Sequence, residues 1–304
     1  MCRDNVGTDN YMKCIVLGGR SMLGLKLRKL LEARGHQVWL VGRGQEDDFW
    51  LELGAPRDIE LPTGFKADVL FHCAASFSDD SLEGIGQNIS VNVAACHQVL
   101  KLAQAAGVCS LVYAGTIGSD FELLEAGQQP NSYTLSKAQA EQWLQLGMCQ
   151  LGGSFCSLRL TQLWDDEGLC CVHQPWVGRI IAYASRGMDL NMPVSLGPRN
   201  FLHVEDAATL MLLAAESRLS GIYPACAQIS IDMSTLALRA YSAFNVGGRV
   251  TLDPSKKPFR LVKFSEDFTL YNRLGYFPRI SILDSFDRIK YAKTATAFWP
   301  MDVS

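Results

Sequence analysis

Between residues 13 and 42 the chain spells a strand, a glycine turn, a helix and a second strand, and that unit constrains everything downstream. KCIVL at 13–17 is a short apolar run ending in Gly18-Gly19. Leu23, Leu27, Leu30 and Leu31 then recur at helical spacing as far as Gly35, and QVWLV at 37–41 is another apolar run, ending at Gly42. Continuous apolar strands joined by a helix form a parallel βαβ unit, with both faces of the sheet covered.

The rhythm continues. ADVLFHCAA (67–75) reads as a strand running into a loop, and 88–106 as a helix with Val91, Ala95, Val99, Leu102 and Ala106 on one face. CSLVYAG (109–115) is a strand, 132–146 an amphipathic helix, and SFCSLRL (154–160) a strand again. The expected fold class is α/β, a doubly wound parallel sheet with a smaller C-terminal α/β part. After about residue 161 the alternation fades: LWDDEGLCCVHQPW is loop-like, while 176–186, 205–217 and 233–244 look helical. The expected division is a disordered, polar lead-in at 1–11, a dinucleotide-binding Rossmann domain at 12–164, and a mainly substrate-binding part at 165–304 with some segments returning to the first core. The opening MCRDNVGTDNY carries two acids and does not read as a signal peptide.

The turn Gly18-Gly19-Arg20-Ser21-Met22-Leu23-Gly24 lies between strand and helix, where a pyrophosphate meets a helix N-terminus. Gly18 permits the tight turn and Gly24 lets helix and strand pack closely. A plain βα turn is the alternative, and the following strand at 37–41 weighs against it. NAD enzymes place Asp or Glu at the tip of the second strand to hold the ribose 2′-hydroxyl. Here the tip reads Val41-Gly42-Arg43, and Arg20 is a second cation inside the turn. Two guanidinium groups suit a 2′-phosphate, so NADP(H) is the expected cofactor, with NAD(H) possible. A solvated loop role for Arg43 is the alternative.

Tyr133 and Lys137 stand four residues apart, on one face of a helix. A phenol of pKa about 10 is a poor acid–base group near neutrality, and a nearby ammonium is expected to favour the phenolate. The pair follows Thr116, at the C-terminal end of LVYAGT, where ligands of doubly wound sheets gather. Thr116 reads equally as a substrate contact and as a capping residue.

These motifs together resemble the extended short-chain dehydrogenase/reductases, the family of nucleotide-sugar epimerases, dehydratases and ketoreductases, over nearly all of residues 13–300. The family's G-x-x-G-x-x-G is similar to Gly18–Gly24, with Ser21 for the middle glycine. Its H-x-A-A is similar to His72-Cys73-Ala74-Ala75, and its N-V-x-G-T to Asn92-Val93-Ala94-Ala95-Cys96, where only the Asn-Val matches. Its late R-x-F-x-H-V-x-D is similar to Arg199–Asp206. The resemblance implies Tyr133 as proton donor or acceptor, Lys137 on the nicotinamide ribose, and Thr116 orienting the reacting group. It implies cofactor contacts at Gly18, Arg20, Ser21, Met22, Leu23, Gly24, Arg43, Cys73, Ala74, Ala75, Asn92, Tyr133 and Lys137. Arg199 matches a residue that meets the substrate diphosphate; an ion pair with Glu205 or Asp206 is the alternative.

The departures narrow the function. Ile117-Gly118 follows Thr116, where 4,6-dehydratases carry an Asp-Glu pair, which disfavours water elimination. Arg159-Leu-Thr-Gln-Leu-Trp-Asp165 lacks the proline and glycine of the family's R-P-x-x-V-Y-G. The expected activity is NADP(H)-dependent reduction of a keto group on a nucleotide-linked deoxysugar. The alternatives are a nucleotide-sugar epimerase with bound NAD(P), a reductase of non-sugar carbonyls, and a non-catalytic cofactor-binding module.

A net charge of −3 gives no basic field for nucleic acid or anionic membrane, and no apolar stretch approaches the roughly 20 residues of a membrane span. The ten Cys show no C-x-x-C, and their only adjacent pair is Cys170-Cys171. They read as reduced thiols, mostly buried, in a cytoplasmic protein with no metal. The helices at 88–106 and 132–146 are similar to the family's dimer helices, so a homodimer is expected.

Overall fold

The computed structural model describes residues 11–57, 59–259 and 262–301. The expected lead-in lies outside these apart from Tyr11. Numbered along the chain, the strands are β1 (Lys13–Leu17), β2 (Gln37–Gly42), β3 (Phe49–Trp50), β4 (Val69–His72), β5 (Ser110–Thr116), β6 (Ser154–Leu160), β7 (Gln162–Trp164), β8 (Leu190–Pro193), β9 (Arg199–His203), β10 (Gly221–Ala225), β11 (Ser230–Ile231) and β12 (Val250–Asp253). The helices are α1 (Met22–Ala33), α2 (Leu82–Asn88), α3 (Cys96–Ala106), α4 (Ser132–Gln150), α5 (Pro175–Ala184), α6 (Val204–Glu216), α7 (Met233–Phe244), α8 (Thr269–Leu274) and α9 (Ile282–Ala292).

The chain forms two compact units. The first comprises Met1–Leu160, Ala208–Pro224 and Asp267–Tyr276. Its seven-stranded sheet runs β10-β6-β5-β4-β1-β2-β3. β1 pairs in parallel with β2 (Val16 opposite Leu40) and with β4 (Val16 opposite Phe71), and β5 with β6 (Val112 opposite Cys156). The order reverses at β1, the switch point where such sheets bind ligands. Ile15, Leu17, Leu70, Leu111, Tyr113 and Phe155 of the sheet pack with Val99, Leu102 and Ala106 of α3 and Leu144 and Met148 of α4 in one core. All of β4, and β1 from Cys14 on, is buried at successive positions, so these apolar runs are strands covered on both faces.

The second unit comprises Thr161–Ala207, Ala225–Glu266 and Phe277–Ser304. It holds a three-stranded sheet, β11-β9-β7, and the parallel pair β12-β8.

Several boundaries differ from the sequence reading. The strand read at 67–75 ends at His72, because residues 73–81 leave the sheet as a loop. The helix read at 88–106 begins at Leu82 as α2, passes through a π-helical stretch Ile89–Ala94, and resumes as α3. Ala95 N–H bonds the Ser90 carbonyl, five residues back, which inserts one residue into the turn. Short strands such as β3, β7 and β11 carry too few residues to show a period.

Candidate active site

The glycine turn fixes one end of the site. Gly18 has φ +83°, and a Cβ there would stand 2.6 Å from the Ala74 nitrogen. Its N–H bonds the Val41 carbonyl at 2.9 Å, and Cys73 N–H bonds the Leu17 carbonyl at 2.8 Å. The ends of β1, β2 and β4 thus converge, bringing Cys73 and Ala74 to the turn; Ala75 follows on the loop. A Cβ at Gly24 would strike the Gly18 carbonyl oxygen. Ser21, in the middle-glycine position, caps α1: its Oγ accepts from Gly24 N–H at 3.0 Å and donates to the Gly18 carbonyl at 2.9 Å. Met22 and Leu23 head the helix, where first-turn N–H groups have no intrahelical acceptor. This turn, packed tightly on β4 and α1 because side chains are missing at Gly18 and Gly24, fits a dinucleotide pyrophosphate at the helix N-terminus.

Arg20 and Arg43 both lie at the tip of β2, each with acids the sequence reading did not place there. Arg20 Nε is 3.5 Å from Asp47, which is 2% exposed, and its Nη2 is 3.6 Å from Glu46. Asp47 also accepts from Gly44 N–H at 2.6 Å. Arg43 is 3.3 Å from Glu52 with its side chain 74% exposed. The tip itself is acid-free, as read, but the loop after it folds Asp47 back beneath Arg20.

The catalytic candidates come together at the start of α4. Asn131 caps that helix, accepting from Thr134 N–H at 2.8 Å, so Tyr133 and Lys137 occupy its first two turns. Thr116, at the end of β5, meets the Tyr133 hydroxyl and favours its phenolate, but burial outweighs this and holds the phenol above its ordinary range. The expectation of a lowered Tyr133 pKa is therefore corrected. The amine that was to lower it is itself buried, with Nζ 3.9 Å from the centre of the Tyr113 ring. Burial pulls Lys137 down to about 7, against the raising effect of Glu141 one turn on. Glu141 is in turn held by Ser157 Oγ at 2.7 Å and Arg159 at 2.9 Å. Burial likewise drives His72 down to about 3 and the Cys73 and Cys96 thiols up to about 12. All three of these neighbours of Lys137 are therefore uncharged.

Asn92 meets Ser76 with both ends of its carboxamide: Oδ1 accepts from Ser76 N–H at 2.8 Å, and Nδ2 donates to the Ser76 carbonyl at 3.0 Å and to Ser136 Oγ at 2.9 Å. Its place in the site is to hold the 73–81 loop and α4 together. Asn88 repeats the pattern one turn earlier, with Ser78 N–H at 3.1 Å, the Ser78 carbonyl at 3.0 Å and Ser132 Oγ at 2.9 Å. Between the two clasped serines, Phe77 stacks on Tyr133, ring centres 4.6 Å apart and planes at 24°. Sequence reasoning missed Asn88, Phe77, Ser132 and Ser136. A signal was there: Asn at 88 and 92 and Ser at 132 and 136 share the four-residue spacing of one helix face.

Arg199 lies in the second unit on β9, buried, with Nη1 3.4 Å from the Pro198 carbonyl. In the same unit Asp206 accepts from Arg279 N–H at 3.0 Å and Ile280 N–H at 2.8 Å, and Glu205 stands 3.9 Å from Arg288. Among the described residues no cluster of His, Cys, Asp or Glu could hold a metal, and no helix is long and apolar enough to cross a membrane.

A doubly wound sheet with a glycine cradle at its switch point defines a dinucleotide-binding α/β protein. Residues 14–225 match the model of the NAD dependent epimerase/dehydratase family, and the chain belongs to that NAD(P)-binding enzyme family. The resemblance to extended short-chain dehydrogenase/reductases holds across the fold. The chain is similar to the UDP-N-acetylglucosamine 4-epimerase of Bacillus cereus, at 18% identity and TM-score 0.72, over 92% of this chain and 96% of that one. It is similar to RMD from Pseudomonas aeruginosa, complexed with NADPH, at 15% identity and TM-score 0.75, over 93% and 99%. It is also similar to the UDP-glucose 4-epimerase of Thermus thermophilus, in complex with NAD, at 20% identity and TM-score 0.68, over 93% and 99%. No curated protein matches the sequence.

Proposed function

We propose that the protein is an NADP(H)-dependent reductase acting on a keto group of a nucleotide-linked deoxysugar. The observation that carries this reading is the Thr116–Tyr133–Lys137 corner, where Thr116 meets the Tyr133 hydroxyl and Lys137 lies buried one turn along the same helix. A carbonyl being reduced needs a proton at its oxygen, and a neutral phenol beside it is the donor. Bound NADPH would supply the hydride. Thr116 orients the carbonyl toward Tyr133, which gives its proton to the oxygen. Lys137, in its ammonium form, stabilises the phenolate that remains.

Gly18, Ser21, Met22, Leu23 and Gly24 would hold the pyrophosphate, with Cys73, Ala74 and Ala75 closing the turn. Arg20 and Arg43 would take the 2′-phosphate, Arg43 with the more exposed side chain and one carboxylate partner, Arg20 with two. Structures of both an NADPH complex and sugar-nucleotide epimerases share the fold, which supports a nucleotide-sugar substrate.

A second reading, an epimerase that retains its dinucleotide, is favoured by one observation: the acid Asp47 at the β2 corner. Purified protein separates the two. A reductase emerges without dinucleotide and oxidises added NADPH in the presence of a keto sugar nucleotide. Protein that retains NAD and does not oxidise added NADPH overturns the reductase.

We further propose a cytoplasmic homodimer. The first unit exposes Leu82, Ile89, Trp143 and Leu146 on α2, the π-helical stretch and α4, the apolar anchors such an interface uses. Light scattering reads the mass directly.

A further inference from the structure

We propose that Phe77 is a positioning residue for Tyr133, held in place by the paired clasp of Asn88 and Asn92; the proposal rests on the reading of Tyr133 as proton donor. Three observations carry it. The Phe77 ring lies nearly parallel to the Tyr133 ring at 4.6 Å, an offset-stacking distance. The residues on either side, Ser76 and Ser78, each have both backbone polar groups bonded to one asparagine carboxamide, so the backbone carrying Phe77 is fixed before and after it. The same two carboxamides donate to Ser136 and Ser132 on α4, three residues after Tyr133 and one before it. Ser136 Oγ also donates to the Tyr133 carbonyl at 2.8 Å.

The loop bearing Phe77 and the helix bearing Tyr133 are therefore bolted to one another at two points, with the stacked pair between the bolts. A phenol free to swing about its Cα–Cβ bond would meet Thr116 only part of the time. Stacking on a ring whose backbone is held on both sides restricts that freedom. Phe77 is 53% exposed, so burial does not account for an aromatic ring at this position.

The test uses the full chain with ring-labelled tyrosine, the Tyr133 Cζ signal being assigned by its loss in Tyr133→Phe. That carbon reports the surroundings of the hydroxyl without need of substrate. Thr116→Val gives the full displacement when the contact is lost. Phe77→Ala is expected to move the signal most of that way, Asn88→Ala part of the way, and Phe77→Tyr to leave it at the wild-type position. Phe77→Leu, which keeps apolar bulk, is expected to move it as Phe77→Ala does. A Cζ signal unmoved in both Phe77→Ala and Phe77→Leu overturns the proposal. With NADPH and butane-2,3-dione as probe, Phe77→Ala should lower kcat about tenfold, with the KM for NADPH unchanged. Failure of the parent reading shows elsewhere: Tyr133→Phe would keep its turnover, whatever the signal does in the Phe77 variants.

Discussion

The first unit has two charged corners, and they are built in opposite ways. At the β2 tip, Arg20 and Arg43 stand half-exposed or more, each facing carboxylates at 3.3–3.6 Å. At the start of α4, Lys137 is 2% exposed and surrounded by a tyrosine ring, two neutral thiols and a neutral imidazole. Water and salt screen the exposed guanidinium groups of the first corner, so its ion pairs are cheap to rearrange. Burial governs the second, so its protons are adjustable and its geometry costly to disturb. One corner is suited to gripping an anion, the other to moving a proton.

The largest effect expected is at the buried corner. Tyr133→Phe should lower turnover by about 10²–10⁴-fold while NADPH affinity, read by fluorescence, stays within about twofold. Normal turnover in that variant would erase the contrast between the corners.

Lys137→Met tests the burial argument through stability. The folded amine titrates near about 7 against an ordinary 10.5, so between those values the unfolded chain binds a proton that the folded chain does not. Wild-type stability therefore rises with pH across that window, and the full penalty of burying the ammonium applies below it. The methionine variant should melt higher than wild type below about pH 7, with the gap closing toward about pH 10. A gap that does not change with pH would show that the amine is not desolvated.

At the exposed corner the effects are smaller. Arg43→Ala should raise the KM for NADPH about tenfold and that for NADH less than about twofold, the difference shrinking as salt is added. Equal effects would remove the 2′-phosphate from the reading. Glu52→Ala, which unpairs Arg43, should change unfolding free energy by no more than about 0.5 kcal/mol in a denaturant titration; a larger loss would show that this corner is not screened.

How far the sequence showed all this depends on the range of the interactions. β1, α1, β2, β5 and β6 were legible because each has a long apolar run or period of its own. Gly18 and Gly24 were legible because a close backbone approach leaves one residue type. Tyr133, Lys137 and Thr116 were legible by spacing and by position at a strand end. Asp47 was not, because it returns through a loop between β2 and β3 that no periodicity governs. The direction of the Tyr133 shift was missed because it depends on how much of the ring is covered, which spacing does not encode. Phe77 and Asn88 were missed because their partners are 56 and 44 residues away along the chain.

The edge strand β10 closes the sheet beside β6, yet it is reached only after the chain has left the first unit and come back. During synthesis, then, β6 waits with an unpaired edge until residues 221–225 have left the ribosome, and α8 follows only at 269–274. A product cut at residue 160 would carry that open edge permanently, a template for pairing with its own copies. A nascent chain stalled before residue 225 should be bound by chaperones or lost to aggregates, and the full-length chain should not.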